Sequence, residues 1–263
     1  MQSDLVSCLM VTANRPELVA RAIYLFERQT YPHRELLIVD DGDCDLSQII
    51  DSSPDRHLIR YVRISREPRR TLGDLRNVSI ANAQGMWCIQ WDDDEWYHPS
   101  RIQSQLEVAS LSRTGASVLK WTLMHVNEPS QQIGQQLFRT DVGIGTPGTI
   151  LFRRDLAPMY PHLSRNEDGV FMRMMRDNSG LAVMGPEFSH LFVRIFHGSN
   201  TWEREHFLRR LRRRPSDWPS WMYANFMRKD LTAHRAFRLS SIEKETAHDY
   251  FDYLLTATAE SVS

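Results

Sequence analysis

Cys88-Ile89-Gln90-Trp91-Asp92-Asp93-Asp94-Glu95-Trp96-Tyr97-His98-Pro99 begins as a short apolar run and ends in four consecutive acids. Carboxylates at that spacing repel one another, and a cation is the simplest way to neutralise them. An Asp-x-Asp at a strand end offers hard oxygen ligands to Mg²⁺ or Mn²⁺, with phosphates completing the shell. In isolation the same triple Asp reads first as a solvated acidic turn. The flanking chain decides between the two.

The chain runs to 263 residues, enough for one large domain or two small ones sharing a core. Its apolar fraction of 41% is that of a globular protein, and no run approaches the ~18–20 apolar residues of a membrane span. An apolar segment starts at residue 5 with no basic leader before it. Cys8, Cys44 and Cys88 lack metal-type spacing and read as reduced thiols, two of them in strands. The net charge of −1 hides an asymmetry, with acids at 40–55 and 92–95 and six arginines within 204–214. The expectation is a cytoplasmic protein, peripheral to an anionic surface.

Residues 4–12 form a β-rich run, and Asn14-Arg15-Pro16-Glu17 follows as a helix start with Asn14 as cap. Leu18, Ala22, Leu25 and Phe26 repeat at helical spacing, predicting a helix over 16–29. Leu36-Leu37-Ile38-Val39 is a fully apolar strand running into Asp40-Asp41-Gly42, so the chain opens β-α-β and starts a parallel sheet. A strand over 57–64, a helix over 71–84 capped by Thr71, and a strand over 86–91 come next. Ligands of open α/β sheets gather at the carboxyl ends of strands, so Thr12, Asp40, Asp41 and the triple Asp are expected to converge. Beyond them the pattern predicts a helix capped by Ser100, strands over 117–124 and 148–153, and a mobile loop or hairpin over 125–147. Asn166-Glu167-Asp168 opens a further helix, short strands end near His197, and the remainder is helical, with a capping box from Asn200 to Glu203.

The order of these motifs resembles the inverting nucleotide-sugar glycosyltransferases of family two, which have the GT-A fold. The matching pieces are residues 8–16, Leu37-Ile38-Val39-Asp40-Asp41-Gly42, Gly73-Asp74-Leu75-Arg76-Asn77, Trp91-Asp92-Asp93-Asp94 and Asn166-Glu167-Asp168. They cover residues 5–200 and leave the last stretch unmatched. The resemblance implies a Rossmann-like α/β domain over 1–200, with a nucleotide-sugar half (1–99) and an acceptor half (100–200). A helical extension over 201–263 would follow.

It also implies roles. Thr12, Asn14 and Arg15 would lie under the nucleotide, and Asp40 or Asp41 would accept a hydrogen bond from the base. A uracil imide is a donor suited to a carboxylate, which favours a uridine diphosphate sugar. Arg76 would reach the diphosphate, or else pair locally with Asp74 or Glu67. Asp94 would hold Mn²⁺ or Mg²⁺, and Asp92 or Asp93 would contact the ribose. His197 would be a second metal or phosphate contact, or a structural histidine. Asp168 would be the general base that takes the acceptor proton, with Glu167 as the alternative. The family's acceptor-side signature is faint, being limited to Gly148-Thr149 and Arg153-Arg154. The acceptor, a hydroxyl on a glycan, a lipid-linked sugar or something else, stays open.

Rival readings use other parts of the chain. A sugar-nucleotide-binding protein without turnover would keep the donor residues and be indifferent to Asp168. An anionic-polymer, nucleic-acid or membrane-surface binder would use Arg204, Arg209, Arg210, Arg212, Arg213 and Arg214, aided by Trp218 and Trp221. A receiver-like domain would explain the first Asp pair but not residues 100–263.

Overall fold

The computed structural model describes residues 4–126, 136–196, 198, 205 and 208–260. In chain order the first elements are β1 (Val6–Thr12), α1 (Pro16–Glu27), β2 (Arg34–Asp40), α2 (Ser47–Asp51), β3 (Ile59–Arg63) and α3 (Leu72–Asn82). Then come β4 (Trp87–Gln90), β5 (Trp96–Tyr97), α4 (Arg101–Ser112), β6 (Ala116–Leu119), β7 (Trp121–Val126) and β8 (Phe138–Asp141). The rest comprises β9 (Leu151–Arg153), α5 (Glu167–Ser179), β10 (Ala182–Met184), β11 (Phe192–Phe196), α6 (Trp218–Met222) and α7 (Ser241–Glu260).

Two compact units emerge, each assembled from two stretches of chain: residues 1–119 with 144–184, and residues 120–143 with 185–263. The sequence reading divided the chain in succession, into halves at 99/100 and an extension after 200. The strand expected over 117–124 is interrupted at Lys120, where one unit gives way to the other, and becomes β6 and β7.

The first unit holds a seven-stranded sheet in the order β10-β6-β9-β4-β1-β2-β3. All pairings are parallel except those of β9, which runs antiparallel to both β4 and β6. β2 is buried along its whole length, which is why it reads as an unbroken apolar run rather than an alternating one. On α1 the buried stripe is Val19, Ala22, Ile23 and Phe26, and Arg21 shares it. α3 starts with a capping box in which Thr71 accepts from Asp74 N–H and Asp74 accepts from Thr71 N–H. Asn14 and Ser100, both expected as caps, make no such bond. Arg15 occupies the position before α1, and Ser100 precedes α4 without a side-chain cap. Phe152, Phe171, Met172, Met175 and Tyr160 form the core beneath α5, with Tyr160 stacked on Phe171 at 3.9 Å.

The second unit pairs β11 parallel to β7 and β7 antiparallel to β8. Met124, Val126, Phe138 and Leu211 form its core, with Trp221 and Phe237 packed against it. Glu243, near the start of α7, is buried and accepts from Arg139, Ser189 and the Ser240 N–H. The tail is helical, in short pieces before α7: 3₁₀ turns at Arg209–Arg212 and Pro215–Asp217, then α6 continued by a π-helical stretch over Tyr223–Arg228. The capping box at 200–203 lies outside the described residues. Among the described residues no helix is long and apolar enough to cross a membrane.

Candidate active site

β1 sits between β2 and β4. The chain leaves β1 to build β2 and β3 on one side, then returns to place β4 on the other, so the strand order reverses between β1 and β4. A crevice opens at the carboxyl ends of strands where this happens. Thr12 closes β1 there, paired in register with Asp40 at the end of β2, and the acids follow β4 directly. The link between the two strand ends is direct: Thr12 Oγ1 donates to Asp93 Oδ2 at 2.6 Å.

The three aspartates alternate. The Asp93 side chain is 4% exposed, against 25% for Asp92 and 20% for Asp94. Arg15 Nη1 lies 3.2 Å from Asp93 Oδ1 and 3.4 Å from Asp94 Oδ2, while Arg21 Nη2 donates to the Asp93 carbonyl at 3.3 Å. Burial and the adjacent Asp94 charge push the Asp93 carboxyl up to about 6, opposed by the Thr12 hydroxyl and Arg15. Asp93 therefore fastens the loop after β1 to the loop after β4. Asp93 is buried among these partners, whereas Asp92 keeps part of its side chain exposed. Gln90 Nε2 donates to both Asp92 oxygens, at 3.2 and 2.9 Å, and Tyr97 OH donates to the Asp92 carbonyl at 2.8 Å. Gly148 backs the same carboxylate, and a Cβ there would stand 3.2 Å from Asp92 Oδ2.

Asp40 and Asp41 separate as well. Asp40 is fully buried, its Oδ1 accepting from the Gly42 N–H and its Oδ2 from Tyr61 OH, both at 2.8 Å. Burial, reinforced by this bond, raises the Tyr61 hydroxyl to about 12. Both Asp40 oxygens are thus engaged inside the fold, where they shape the turn. Asp41 is partly exposed. Asn14 adopts a left-handed backbone (φ 57°), and its Oδ1 accepts from the N–H groups of Asp43 at 2.7 Å and Cys44 at 3.0 Å. It ties the loops after β1 and β2 together.

Arg76 takes neither partner offered by the local sequence, since Asp74 caps its own helix and Glu67 pairs with Arg70. Its Nε donates to Glu167 Oε1 at 3.0 Å and its Nη2 to Asp92 Oδ1 at 3.1 Å, with the guanidinium 5.9 Å from the Tyr160 ring centre. Gly73 permits this approach of α3, because a Cβ there would stand 1.9 Å from the Pro161 carbonyl oxygen. Glu167 is buried, and burial pushes its carboxyl up while Arg76 pulls it down. Asp168 is partly exposed, and its Oδ1 accepts from the Gly169 N–H at 2.7 Å in the first turn of α5. A continuous chain therefore runs from Asp92 through Arg76 to Glu167, beside Asp168.

Asp92 and Asp94 present hard carboxylate oxygens at one strand end, the donor type that Mg²⁺ and Mn²⁺ take. Among the described residues no group of three or more His, Cys, Asp or Glu side chains is placed to hold a metal. His197 and Trp202 lie outside the described residues. His190 is buried with Nδ1 3.0 Å from the Glu187 carbonyl.

Arg21, Gln90, Tyr97, Arg101 and Tyr160 support the site without having been singled out in the sequence. Arg101 is fully buried, 4.4 Å from the Tyr97 ring centre, and donates to the Gln90 carbonyl at 3.0 Å. Helical spacing carried a signal for two of them: Arg21 falls on the inner stripe of α1, and Arg101 lines up with Gln105 and Ala109 on α4.

A family model described as "Glycosyl transferase family 2" matches residues 7–160. The putative colanic acid biosynthesis glycosyl transferase WcaA of Escherichia coli K12 is 35% identical over 109 residues, covering 38% of this chain and 36% of WcaA. The Escherichia coli UDP-Glc:alpha-D-GlcNAc-diphosphoundecaprenol beta-1,3-glucosyltransferase WfgD is 21% identical over 192 residues, covering 70% of this chain and 74% of WfgD. The matches span only 31 to 36% of the length of three curated relatives, WcaA among them. Among solved structures, S. aureus TarS in complex with UDP-GlcNAc superposes with a TM-score of 0.57 at 16% identity, covering 79% of this chain and 64% of that one. The likeness shows a common GT-A fold.

Proposed function

This chain belongs to glycosyl transferase family 2, and we propose that it moves a sugar from a nucleoside diphosphate donor to a hydroxyl acceptor with inversion at the anomeric carbon. One observation carries the reading: Arg76 joins Asp92, at the end of β4, to Glu167, at the start of α5. The residues expected on the donor side and on the base side thus belong to one charged assembly. A uridine diphosphate donor is supported by Asp41, a partly exposed carboxylate beside the β1/β4 crevice, suited to a uracil imide. The UDP-GlcNAc bound to TarS and the UDP-Glc in the name of WfgD point the same way.

In this reading Thr12, Asn14 and Arg15 shape the floor of the nucleotide site, and Asp92 faces the ribose. Asp94 would hold Mn²⁺ or Mg²⁺ together with the donor diphosphate, an ion that neutralises charge developing on the leaving group. Asp168 is the base. It is partly exposed, whereas Glu167 is buried and committed to Arg76. Arg76 pairs with Glu167 and fixes the first turn of α5, so the Asp168 carboxylate is presented in one place. It takes the acceptor proton as the hydroxyl oxygen attacks opposite the departing diphosphate.

The test is slow hydrolysis of a UDP-sugar, with water standing in for the acceptor and released UDP as readout. Asp168→Asn is expected to lower the rate by about 10²–10⁴-fold while leaving UDP affinity unchanged. Equal rates in the two proteins would remove Asp168 from the mechanism.

A peripheral, cytoplasmic place at an anionic membrane surface is a second element of the proposal. Trp218, Met222, Phe226 and Met227 are each more than half exposed, and Arg228 and Lys229 follow directly. Apolar rings beside cations suit a membrane interface. Trp221, by contrast, is partly buried against the core. Co-sedimentation with anionic vesicles should be lost in Trp218→Ser/Phe226→Ser, and its persistence there would remove this element.

A further inference from the structure

Gln90 is the last residue of β4 and is 2% exposed. Its backbone is held on both sides, the N–H donating to the Ile150 carbonyl at 3.0 Å and the carbonyl accepting from Arg101 Nη2 at 3.0 Å. Trp91, between Gln90 and Asp92, is fully buried, its backbone N–H on the Leu9 carbonyl and its indole N–H on the Ala22 carbonyl. The Gln90 side chain therefore starts from a fixed point. It ends on Asp92, where its one amide nitrogen reaches both carboxylate oxygens.

That arrangement leaves Gln90 itself a hydrogen bond short. Its Oε1 is buried and accepts from no described residue. An amide oxygen left unpaired inside a protein is unfavourable, and a leucine would fill the same place without one. Turning the amide over would set Oε1 against the carboxylate. Stability alone does not account for a glutamine here, whereas orientation of Asp92 does. Arg76 Nη2 takes Oδ1 at 3.1 Å, so the carboxylate is gripped from two directions. An amide grips without adding charge, and Asp92 keeps the acceptor strength of an ion.

The two oxygens of Asp92 are not left alike. Oδ1 accepts from Arg76 and Gln90, while Oδ2 accepts from Gln90 alone among the described residues. Gly148 stands over Oδ2. Its backbone is not left-handed and does not demand glycine, yet a Cβ there would lie 3.2 Å from Oδ2 and 3.4 Å from Gln90 Nε2. What the missing side chain preserves is room at that oxygen. We propose that Gln90 is a positioning residue for the donor, setting the Asp92 carboxylate so that Oδ2, in the space left by Gly148, accepts a ribose hydroxyl. The site is thereby selective for a ribonucleoside diphosphate over one whose sugar lacks those hydroxyls. This rests on the assignment of Asp92 to the ribose.

The experiment is calorimetry with UDP and with the dideoxyuridine diphosphate that lacks both free ribose hydroxyls, each in the presence of Mn²⁺. Wild type should bind UDP about ten-fold or more tightly than the analogue. Gln90→Leu should lose most of that preference, because its UDP affinity falls toward that of the analogue while its analogue affinity stays the same. Its thermal midpoint should stay at or above that of wild type. Gly148→Ala should lose the preference too. A glutamine that only packed would, when replaced, change both affinities together or neither. If Gln90→Leu lowers the midpoint, Gln90→Met, of similar length and without the amide, is read in its place. Asp92→Ala separates the two assignments. A preference lost in Asp92→Ala but intact in the Gln90 variants overturns the positioning role alone. Equal binding of both ligands by wild type, or a preference that survives in Asp92→Ala, removes Asp92 from the ribose and this proposal with it. If wild type binds neither ligand, the donor reading itself falls, and the role of Gln90 falls with it.

Discussion

Arg76 is the residue on which most of the site depends. It is buried between two carboxylates, and removing one member of a buried charged set leaves the others without compensation. Arg76→Ala should therefore destabilise the fold by about 3–5 kcal/mol in urea unfolding, far more than loss of a surface arginine. A change below about 1 kcal/mol would mean that the pairing is not formed in solution. No sequence reading could have found it, because Glu167 lies 91 positions away and the local chain offers Asp74 and Glu67 instead. The unequal burial of Asp92, Asp93 and Asp94 was not legible either, because Asp93 and Asp94 lie in the turn after β4, where no strand alternation applies. Which of them faced inward depended on Thr12 arriving from another strand. Titration at the residue scale also has a defined sign. Burial lowers the His190 pKa below its ordinary value of 6.5, with the Glu187 carbonyl and the Glu243 charge opposing it. The unfolded chain then binds the proton more readily, so stability is full at higher pH and is lost as pH falls through and below about 6.5. Between pH 7.5 and 5.5 the urea midpoint of wild type should fall more than that of His190→Asn. Parallel curves would contradict the assignment.

The elements that carry the site were read well where burial leaves a simple pattern and poorly where it does not. β1, β2 and β4 are buried parallel strands, and such strands appear as bare apolar runs. The break at Lys120 carries no Gly or Pro, so nothing in the local sequence separated β6 from β7. Arg21 and Arg101 were passed over because a charge disguises a core position, although each sits on the buried stripe of its helix. α3 is the element whose placement matters most. Its capping box predicts that Thr71→Ala costs about 1 kcal/mol. Gly73→Ala should cost more than Thr71→Ala, because its methyl would run into the Pro161 backbone and push Arg76 away from Asp92. Equal stability of Gly73→Ala and wild type would show that α3 and the 161 segment are not in close contact.

At the scale of the whole molecule, two units built from interleaved stretches of chain replace the simple succession of a domain and a tail. Sequence order alone suggests succession, and only the pairing of β11 with β7 shows that residues 120–143 belong with the later chain. The thiols give a test of integrity for the first unit. Cys8 and Cys88 are buried on β1 and β4, and burial raises both, Cys88 to about 12, whereas Cys44 is exposed. Iodoacetamide at neutral pH should add one group to the native protein and three after denaturation. More than one adduct on the native protein would mean that the β1/β4 region opens. The central claim is narrower and rests on the crevice between those two strands. It is tested most directly by calorimetry with uridine diphosphate, with and without Mn²⁺, beside an Asp94→Ala variant. The account predicts binding that needs the metal and disappears in the variant. Failure of wild type to bind any nucleoside diphosphate, with or without metal, would contradict it.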